Sequence, residues 1–223
     1  MATYARVSVN QGFGKLSLTK MNNVHYRILK IPKFIIPLPQ FNMTMAIRSL
    51  AVFCGSKKGN NPLFTEQAAQ LGKLMAEYKV TLIYGGGSAG MMGTIADSVM
   101  AHGGKVTGII PKVLLEWEVQ HQHITELIIS DDMHIRKKTI YSLCDAALIL
   151  PGGFGTLDEL FEIVTWNQLS IHDKQIFILN SGGFYDHLIK HIRHMREEEF
   201  LYEEAEKRIT ILHEPAELTQ YLE

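Results

Sequence analysis

Residues 146–159, which read AALILPGGFGTLDE, contain the pattern that decides the fold. The apolar run 146–150 has the length and composition of a buried strand. A turn of one proline and several glycines follows, and a helix is predicted to begin at Thr156. A buried strand that passes through a glycine-rich turn into a helix is typical of a parallel sheet covered by helices.

The same alternation of apolar runs and helical stretches extends over the chain from Ile47 onward. We predict seven strands, at residues 49–54, 81–84, 105–110, 126–129, 146–150, 176–179 and 208–212. Helices are predicted to begin near Pro62 and to cover 91–101, 132–143, 156–169, 184–196 and 215–222. The sequence therefore predicts an α/β protein with a doubly wound, mainly parallel sheet and helices on both faces. Such a sheet binds its ligand beyond the carboxyl ends of the strands.

Composition limits the class of protein. The chain has 223 residues, 46% hydrophobic and 20% charged, which suits one sizeable core and a single domain. Cys54 and Cys144 lack the spacing of a zinc site or a disulfide framework, so we expect both to be buried thiols. No apolar run approaches the roughly 20 residues that a membrane helix needs. We therefore expect a soluble, cytoplasmic protein that does not bind membranes.

Residues 1–45 differ in charge from the rest of the chain. They contain six basic and no acidic residues, whereas the remainder contains 16 basic and 23 acidic residues. This basic leader shows no sustained periodicity, so we exclude it and assign the folded domain to residues 46–223. It could be an upstream extension outside the working protein, a disordered tail or an organellar presequence. The acidic remainder argues against nucleic acid as the main partner.

Four predicted strands end in loops of glycine and other small residues. These loops are 54–56, 85–93, 151–156 and 181–183. Their backbone N–H groups can turn towards a ligand, and the positive end of a following helix favours an anion. One such loop can be merely a tight turn, but several at one sheet edge predict a ligand that carries a phosphate.

The loop 85–93 formally satisfies G-x-G-x-x-G, but its context is not that of a dinucleotide site. That fingerprint follows the first strand of its unit and expects an acidic residue about 20 positions later. The strand predicted at 105–110 and the proline after it contain none. A Walker A sequence is also missing. The sequence therefore favours a mononucleotide over NAD or ATP.

Arg136 is the first candidate for the chemistry. It shares an apolar stripe of its predicted helix with three other residues, Met133, Ile140 and Leu143. A guanidinium on such a stripe can end in water or pair with a structural carboxylate. Because this helix begins at a strand end, Arg136 can also reach a bound nucleotide, and Lys137 stands beside it.

Glu159 is the second candidate. With Thr156 it forms a T-x-x-E sequence that could be a capping box, whose only role would be to start the helix. The same first-turn position would also bring the Glu159 carboxylate to a ligand held by the preceding loop. Asp158 points about 100° away around the helix, which makes it the poorer candidate.

Three segments in this order, GGGSAGMMG (85–93), MHIRK (133–137) and PGGFGTLDE (151–159), resemble the Lonely Guy family. Its members are cytokinin riboside 5′-monophosphate phosphoribohydrolases, long labelled "possible lysine decarboxylase". The resemblance covers roughly residues 47–222 and includes TWNQL (165–169). It implies a Rossmann-like homodimer that hydrolyses a cytokinin-type nucleotide or AMP to free base and ribose 5-phosphate, with no metal or other cofactor.

By this resemblance Arg136 and Glu159 are the catalytic pair. The residues that it places around the nucleotide are Lys137, Gly152, Gly153, Gly155, Thr156, Thr165, Gly87, Gly90 and Ser56. Cleavage of an N-glycosidic bond develops positive charge on the ribose and negative charge on the base, so a carboxylate and a cation can each stabilise the transition state. Glu159 could be a base, an electrostatic partner or a nucleophile. Lys112 stands where many members have an acidic residue, which leaves recognition of the base or ribose open.

Other functions compete with this interpretation. A non-catalytic carrier of a nucleotide or a molybdopterin-type cofactor is the main alternative, because such carriers look similar in their glycine loops. The sequence lacks the acidic residue that a nicotinamide oxidoreductase would need after its glycine loop. It also lacks a lysine in a recognisable pyridoxal-phosphate setting, which a decarboxylase would need. His121 and His123 have no third ligand near them in sequence, so we interpret them as surface polar residues rather than a metal site.

Overall fold

The structure is a computed structural model that describes residues 46–115, 120–201 and 208–222. The basic leader lies outside the described residues, so the domain boundary at residue 46 stays a prediction. The strands are β1 (Ser49–Phe53), β2 (Thr81–Tyr84), β3 (Val106–Pro111), β4 (Glu126–Ser130), β5 (Ala146–Ile149), β6 (Gln175–Leu179) and β7 (Ile209–Leu212). The α-helices are α1 (Pro62–Glu77), α2 (Gly90–Ala101), α3 (Met133–Leu143), α4 (Phe154–Gln168) and α5 (Asp186–Glu197). Short 3-10 helices cover Lys112–Leu114, Ser181–Gly183 and Pro215–Tyr221.

All seven strands form one sheet in the order β4-β3-β2-β1-β5-β6-β7, and every neighbouring pair is parallel. This confirms the predicted fold class. The strand order reverses between β1 and β5, where residues 50–53 pair with residues 146–149. A crevice opens at such a reversal, because the chain leaves the two neighbouring strands towards opposite faces of the sheet.

Strand β1 shows how the sheet divides the core. Its side chains alternate between the two faces, as they must in an extended strand. Leu50 and Val52 pack with residues of α1 and α2, whereas Ala51 and Phe53 pack with residues of α3, α4 and α5. The sheet is therefore covered on both faces, which accounts for the nearly continuous apolar sequence of its central strands.

The helix starts differ in how their N–H groups are satisfied. The side chain of Asn61 caps α1 at Leu63 N–H over 3.0 Å, and that of Asp132 caps α3 at Ile135 N–H over 2.8 Å. Helix α4 has Gly153 at its N-cap and no hydrogen bond from a capping side chain. The first N–H groups of α4 are therefore left for a ligand or for water.

The structure corrects two predictions on these helices. Helix α4 begins at Phe154 rather than Thr156, because Gly153 takes the N-cap, so the proposed capping box does not exist. The predicted apolar stripe of α3 is also wrong. Met133 and Leu143, the first and last residues of the helix, are 38% and 41% exposed. The two ends of the helix leave these side chains open to solvent, and the buried residues of α3 are Arg136, Ile140 and Tyr141.

His121 is buried, which contradicts its interpretation as a surface residue. Its side chain is 7% exposed, and its Nε2 lies 3.0 Å from Asp97 Oδ1 on α2. Its backbone N–H donates to the Gly86 carbonyl at 2.9 Å, and its Nδ1 accepts from the backbone N–H of His123 at 3.2 Å. His121 therefore holds the segment after β3 against α2 and the second glycine loop, through partners that local spacing does not reveal.

The cysteines and the apolar character of the helices were both predicted from composition. Cys54 and Cys144 are buried free thiols, as predicted. Within the ranges that the structure covers, none of the helices combines the length and the apolar character needed to cross a membrane.

Candidate active site

A cavity of about 270 Å³ lies beyond the carboxyl ends of β1 and β5, where the strand order reverses. The loop after β1, the second glycine loop, the first turns of α3 and the first turns of α4 all contribute to it. The lining residues are Val52, Phe53, Cys54, Gly55, Ser56, Gly85, Met92, Met133, Arg136, Lys137, Gly153, Phe154, Gly155, Thr156, Asp158 and Glu159. Both predicted catalytic residues therefore lie in one cavity, at the position where doubly wound sheets bind ligands.

The Arg136 guanidinium is fixed by backbone carbonyls. Its Nε donates to the Ile109 carbonyl at 3.0 Å, and its Nη2 donates to the Gly85 carbonyl at 3.4 Å. Arg136 is only 8% exposed, and among the described residues no carboxylate lies within ion-pair distance of it. Its Nη1 lies 3.9 Å from the thioether sulfur of Met133. The guanidinium is thus held in place with its charge not neutralised, as an anion-binding group should be.

Glycine at position 85 is required by this arrangement. A Cβ built on Gly85 would overlap Nη2 of Arg136. Strand β3 and the glycine that follows β2 thus supply the carbonyl groups and the space that hold one arginine from α3. This packing explains why a glycine follows β2, in addition to any contact with a ligand.

The Glu159 carboxyl lies in the second turn of α4 and is partly buried. Burial raises its pKa from the usual 4.5 to about 7, against the opposing attraction of Arg136 and Lys137. Asp158 and Glu162 add smaller repulsions that also raise it. Both protonation states of Glu159 are therefore populated near neutral pH, which is the condition that suits acid–base chemistry.

Lys137 is held between two carboxylates of α4. Its Nζ lies 2.6 Å from Asp158 Oδ2 and 3.1 Å from Glu162 Oε2. Partial burial alone would lower the pKa of Lys137, but the hydrogen bonds to Asp158 and Glu162 raise it above its usual value. Lys137 is therefore an ammonium ion at the cavity wall. Asp158, which the sequence disfavoured, lines the cavity through this contact.

Two glycines at the start of α4 have no structural reason to be glycine. A Cβ built on Gly153 or Gly155 would meet nothing within 4 Å, and neither residue has a positive φ. Gly152 is different, because a Cβ there would overlap the Thr156 side chain. Open space beside two glycines at an uncapped helix N-terminus is what a closely approaching anion requires.

Several predicted site residues lie outside this cavity. Thr165 faces a different groove and donates its hydroxyl to the Phe161 carbonyl at 2.6 Å. Gly87 pairs with Gln120 in an isolated bridge, and a Cβ on Gly90 would overlap the Ser56 backbone. For these residues the structure offers structural roles, and none of them lines the cavity.

A second cavity of about 330 Å³ adjoins the first. The two share Gly55, Ser56 and Gly153, and Gly152 lines only the second. Its wall is completed by Pro151 and the edge-to-face pair of Phe64 and Phe184, with Lys57 and Lys58 beside them.

Sequence reasoning missed several residues at the site, of which three bear on its chemistry. Phe154 lines the cavity and is 93% exposed, while Tyr141 and Glu162 lie behind Lys137. Glu162 follows Glu159 by three positions, so helical spacing could have placed it on a neighbouring face. Within the described ranges, no group of three or more His, Cys, Asp or Glu residues could hold a metal ion.

The chain matches the sequence model of a family described as "possible lysine decarboxylase" over residues 92–222. A probable cytokinin riboside 5′-monophosphate phosphoribohydrolase of Oryza sativa subsp. japonica is 37% identical over 203 residues, which are 91% of this chain and 81% of that protein. A cytokinin riboside 5′-monophosphate phosphoribohydrolase of Arabidopsis thaliana is 42% identical over 176 residues, which are 79% of this chain and 83% of that protein.

Solved structures with low sequence identity share the fold. The molybdenum cofactor binding protein of the phototrophic bacterium Rippkaea orientalis aligns with a TM-score of 0.60 at 20% identity, over 79% of this chain and 95% of that one. The molybdenum cofactor carrier protein of Chlamydomonas reinhardtii aligns with a TM-score of 0.57 at 17% identity, over 78% and 97%. At these identities the similarity shows the fold and carries nothing about the ligand.

Proposed function

Because the chain belongs to the family described as possible lysine decarboxylase, with relatives named cytokinin riboside 5′-monophosphate phosphoribohydrolases, we propose that it is such an N-glycosidase. The reaction is hydrolysis of the base–ribose bond of a purine nucleoside 5′-monophosphate, which yields the free base and ribose 5-phosphate. The observation that carries the proposal is one cavity with an unpaired guanidinium, a carboxyl of pKa about 7 and an uncapped helix N-terminus.

The charges match what the transition state needs. As the bond from C1′ to the base nitrogen breaks, the bonding pair leaves with the base and the ribose becomes an oxocarbenium ion. The ionised Glu159 opposes the positive ribose and orients or deprotonates the attacking water, while Arg136 stabilises the negative charge on the departing base. Because Arg136 is already fixed by two carbonyls, it needs little reorganisation as the charge develops.

The 5′-phosphate fits the N-terminus of α4. Gly153, Gly155 and Thr156 line the cavity there, and no capping side chain competes for the N–H groups. Lys57 and Lys58 line the adjoining cavity on the same side. A phosphate held at this end would position the ribose between Arg136 and Glu159, and its binding energy would accelerate a step in which it takes no part.

The decarboxylation named in the family description does not fit Lys137, the lysine that lines the cavity. A pyridoxal-phosphate lysine must lose its proton to form a Schiff base. Lys137 is instead stabilised as an ammonium ion by Asp158 and Glu162. The carrier interpretation is not favoured either, because its structural support rests on relatives at 20% identity or below.

The proposal also covers the oligomeric state of the protein, its compartment and the identity of its nucleotide substrate. The protein acts as a homodimer in the cytoplasm, on a cytokinin nucleotide or AMP. Large exposed apolar side chains support association with a second copy, since Phe154, Leu169 and Phe200 are 93%, 65% and 78% exposed. Light scattering after size-exclusion chromatography measures the assembly directly.

The proposed function is tested with a panel of nucleotides. Purified protein is incubated with AMP, GMP, CMP and isopentenyladenosine monophosphate, and free base is quantified by chromatography. We expect base from the adenine nucleotides, and none from an Arg136→Ala variant purified in the same way. Binding of the nucleotides without release of base from any of them would replace the enzyme with a carrier.

A further inference from the structure

Helices α3 and α4 are joined by a polar contact behind the cavity. One carboxylate oxygen, Oε2 of Glu162, lies 3.1 Å from Lys137 Nζ and accepts a hydrogen bond from the Tyr141 hydroxyl at 3.0 Å. The side chains of Lys137 and Glu162 are only 14% and 24% exposed. Glu162 does not line the cavity.

Tyr141 makes this contact rigid. It is 3% exposed, and its ring packs edge-to-face against Phe53 and Trp166, with centroids 6.0 and 5.0 Å away. Burial and the neighbouring Glu162 raise the pKa of Tyr141, so its hydroxyl keeps its proton and remains a donor. A buried hydroxyl needs a partner, and its shorter hydrogen bond is to Glu162 rather than to the Glu159 carbonyl at 3.4 Å.

The two joined helices carry the two proposed catalytic residues. Arg136 precedes Lys137 on α3, and Glu159 precedes Glu162 by one turn on α4. We propose that Glu162 is a positioning residue: by binding the Lys137 ammonium and the Tyr141 hydroxyl through one oxygen, it fixes α3 against α4 and so fixes Arg136 and Glu159 relative to each other. The expected effect of Glu162 on kcat rests on the proposed function. Its expected effect on the ionisation of Glu159 does not, because it follows from the contacts of Glu162.

Glu162 also compensates the charge of Lys137 at the cavity. The charged groups that act on Glu159 are Arg136 and Lys137 from α3, with Asp158 and Glu162 from α4, and the neutral Cys54 and Tyr141 also lie near it. Asp158 lies nearer to Lys137, but its side chain is 63% exposed and its charge is screened by water. Glu162 is therefore the less screened of the two counter-charges, and without it Lys137 would favour the ionised form of Glu159 more strongly.

Glu162→Gln tests the proposal because it removes the charge and keeps the size and an acceptor oxygen. We expect the acidic limb of the pH profile of kcat/KM to move down, by at most about one pH unit. We also expect kcat at pH 8 to fall about tenfold, with a smaller change in KM, since the substrate contacts are unchanged. Tyr141→Phe keeps the charge, so it should lower kcat without moving the acidic limb.

Glu77→Gln is the matched control, because Glu77 pairs with Lys73 at 3.8 Å on the exposed face of α1. It should change neither kcat nor the pH profile. A second readout does not need turnover: the Glu159 carboxyl is titrated by carbon-13 NMR, with Glu159→Gln identifying its resonance. Its midpoint should fall in Glu162→Gln and stay unchanged in Glu77→Gln.

The outcomes separate this inference from the proposed function. An unmoved Glu159 titration in a folded Glu162→Gln protein overturns the compensation of the Lys137 charge by Glu162, whether or not the parent protein is active. With an active parent, an unchanged kcat in both Glu162→Gln and Tyr141→Phe overturns the positioning role. If the parent releases no base but the titration moves as expected, the proposed function fails and the compensation of the Lys137 charge by Glu162 stands. A loss of thermal stability with an unchanged titration midpoint and an unchanged kcat would show that Glu162 joins the helices without positioning Arg136 and Glu159.

Discussion

Replacement of Glu159 by glutamine separates catalysis from folding. The carboxyl has a usual pKa of 4.5 and a pKa of about 7 in the fold, so its ionisation is penalised in the native state. Between pH 4.5 and 7 the unfolded state loses this proton and the folded state keeps it, so the penalty grows through that window and stays constant above it. The full shift corresponds to about 3 kcal/mol, which we reduce to about 1–3 kcal/mol because the side chain is partly exposed.

Glu159→Gln should therefore be more stable than the parent at pH 8 and equally stable near pH 4, as measured by thermal unfolding at both values. Its kcat should fall at least about a hundredfold, because the amide cannot oppose the oxocarbenium ion. AMP affinity, measured by calorimetry, should be retained. In the parent protein, kcat/KM should rise with pH through a midpoint near 7, as Glu159 ionises. A variant that binds and hydrolyses AMP like the parent would refute this reasoning and place the catalytic carboxylate elsewhere.

Three further predictions concern Gly85, Gly155 and the basic leader. Gly85→Ala should displace the Arg136 guanidinium and lower kcat at least about tenfold, and an unchanged kcat would show that Arg136 is not held as described. The added methyl group of Gly155→Ala meets open space in α4, so thermal unfolding should show unchanged or slightly higher stability. Because the phosphate is proposed to approach this backbone, KM for AMP should rise, and an unchanged KM would place the phosphate elsewhere. A shortened chain that begins at Met45 should melt and turn over AMP like the full chain, and a loss of several kcal/mol of stability would show that the leader belongs to the fold.

The fold could be predicted because its signals are local. Each strand is a short apolar run, and each glycine loop marks a strand end, so the seven strands and the five α-helices between them follow from the sequence. The positions of Arg136 and Glu159 followed from the same logic, since both stand shortly after strand ends. What spacing could not give was the start of α4, which depends on Gly153 taking the N-cap.

Contacts between distant segments were not predictable. His121 was misjudged because its partner, Asp97, lies on another element, and Glu162 was missed because Lys137 and Tyr141 reach it from a different helix. Thr165 is a different case. It follows Glu159 by six residues, which is about 240° around a helix, so helical geometry alone would have placed it away from the cavity.

The most direct test is the identity of the products that the parent protein forms from AMP. We expect adenine and ribose 5-phosphate in equal amounts by chromatography, and for adenosine a kcat/KM lower by about a hundredfold or more, because it lacks the phosphate that positions the ribose. Adenosine and inorganic phosphate as products, or AMP recovered intact from a stable complex, would contradict the proposed cleavage of the base–ribose bond.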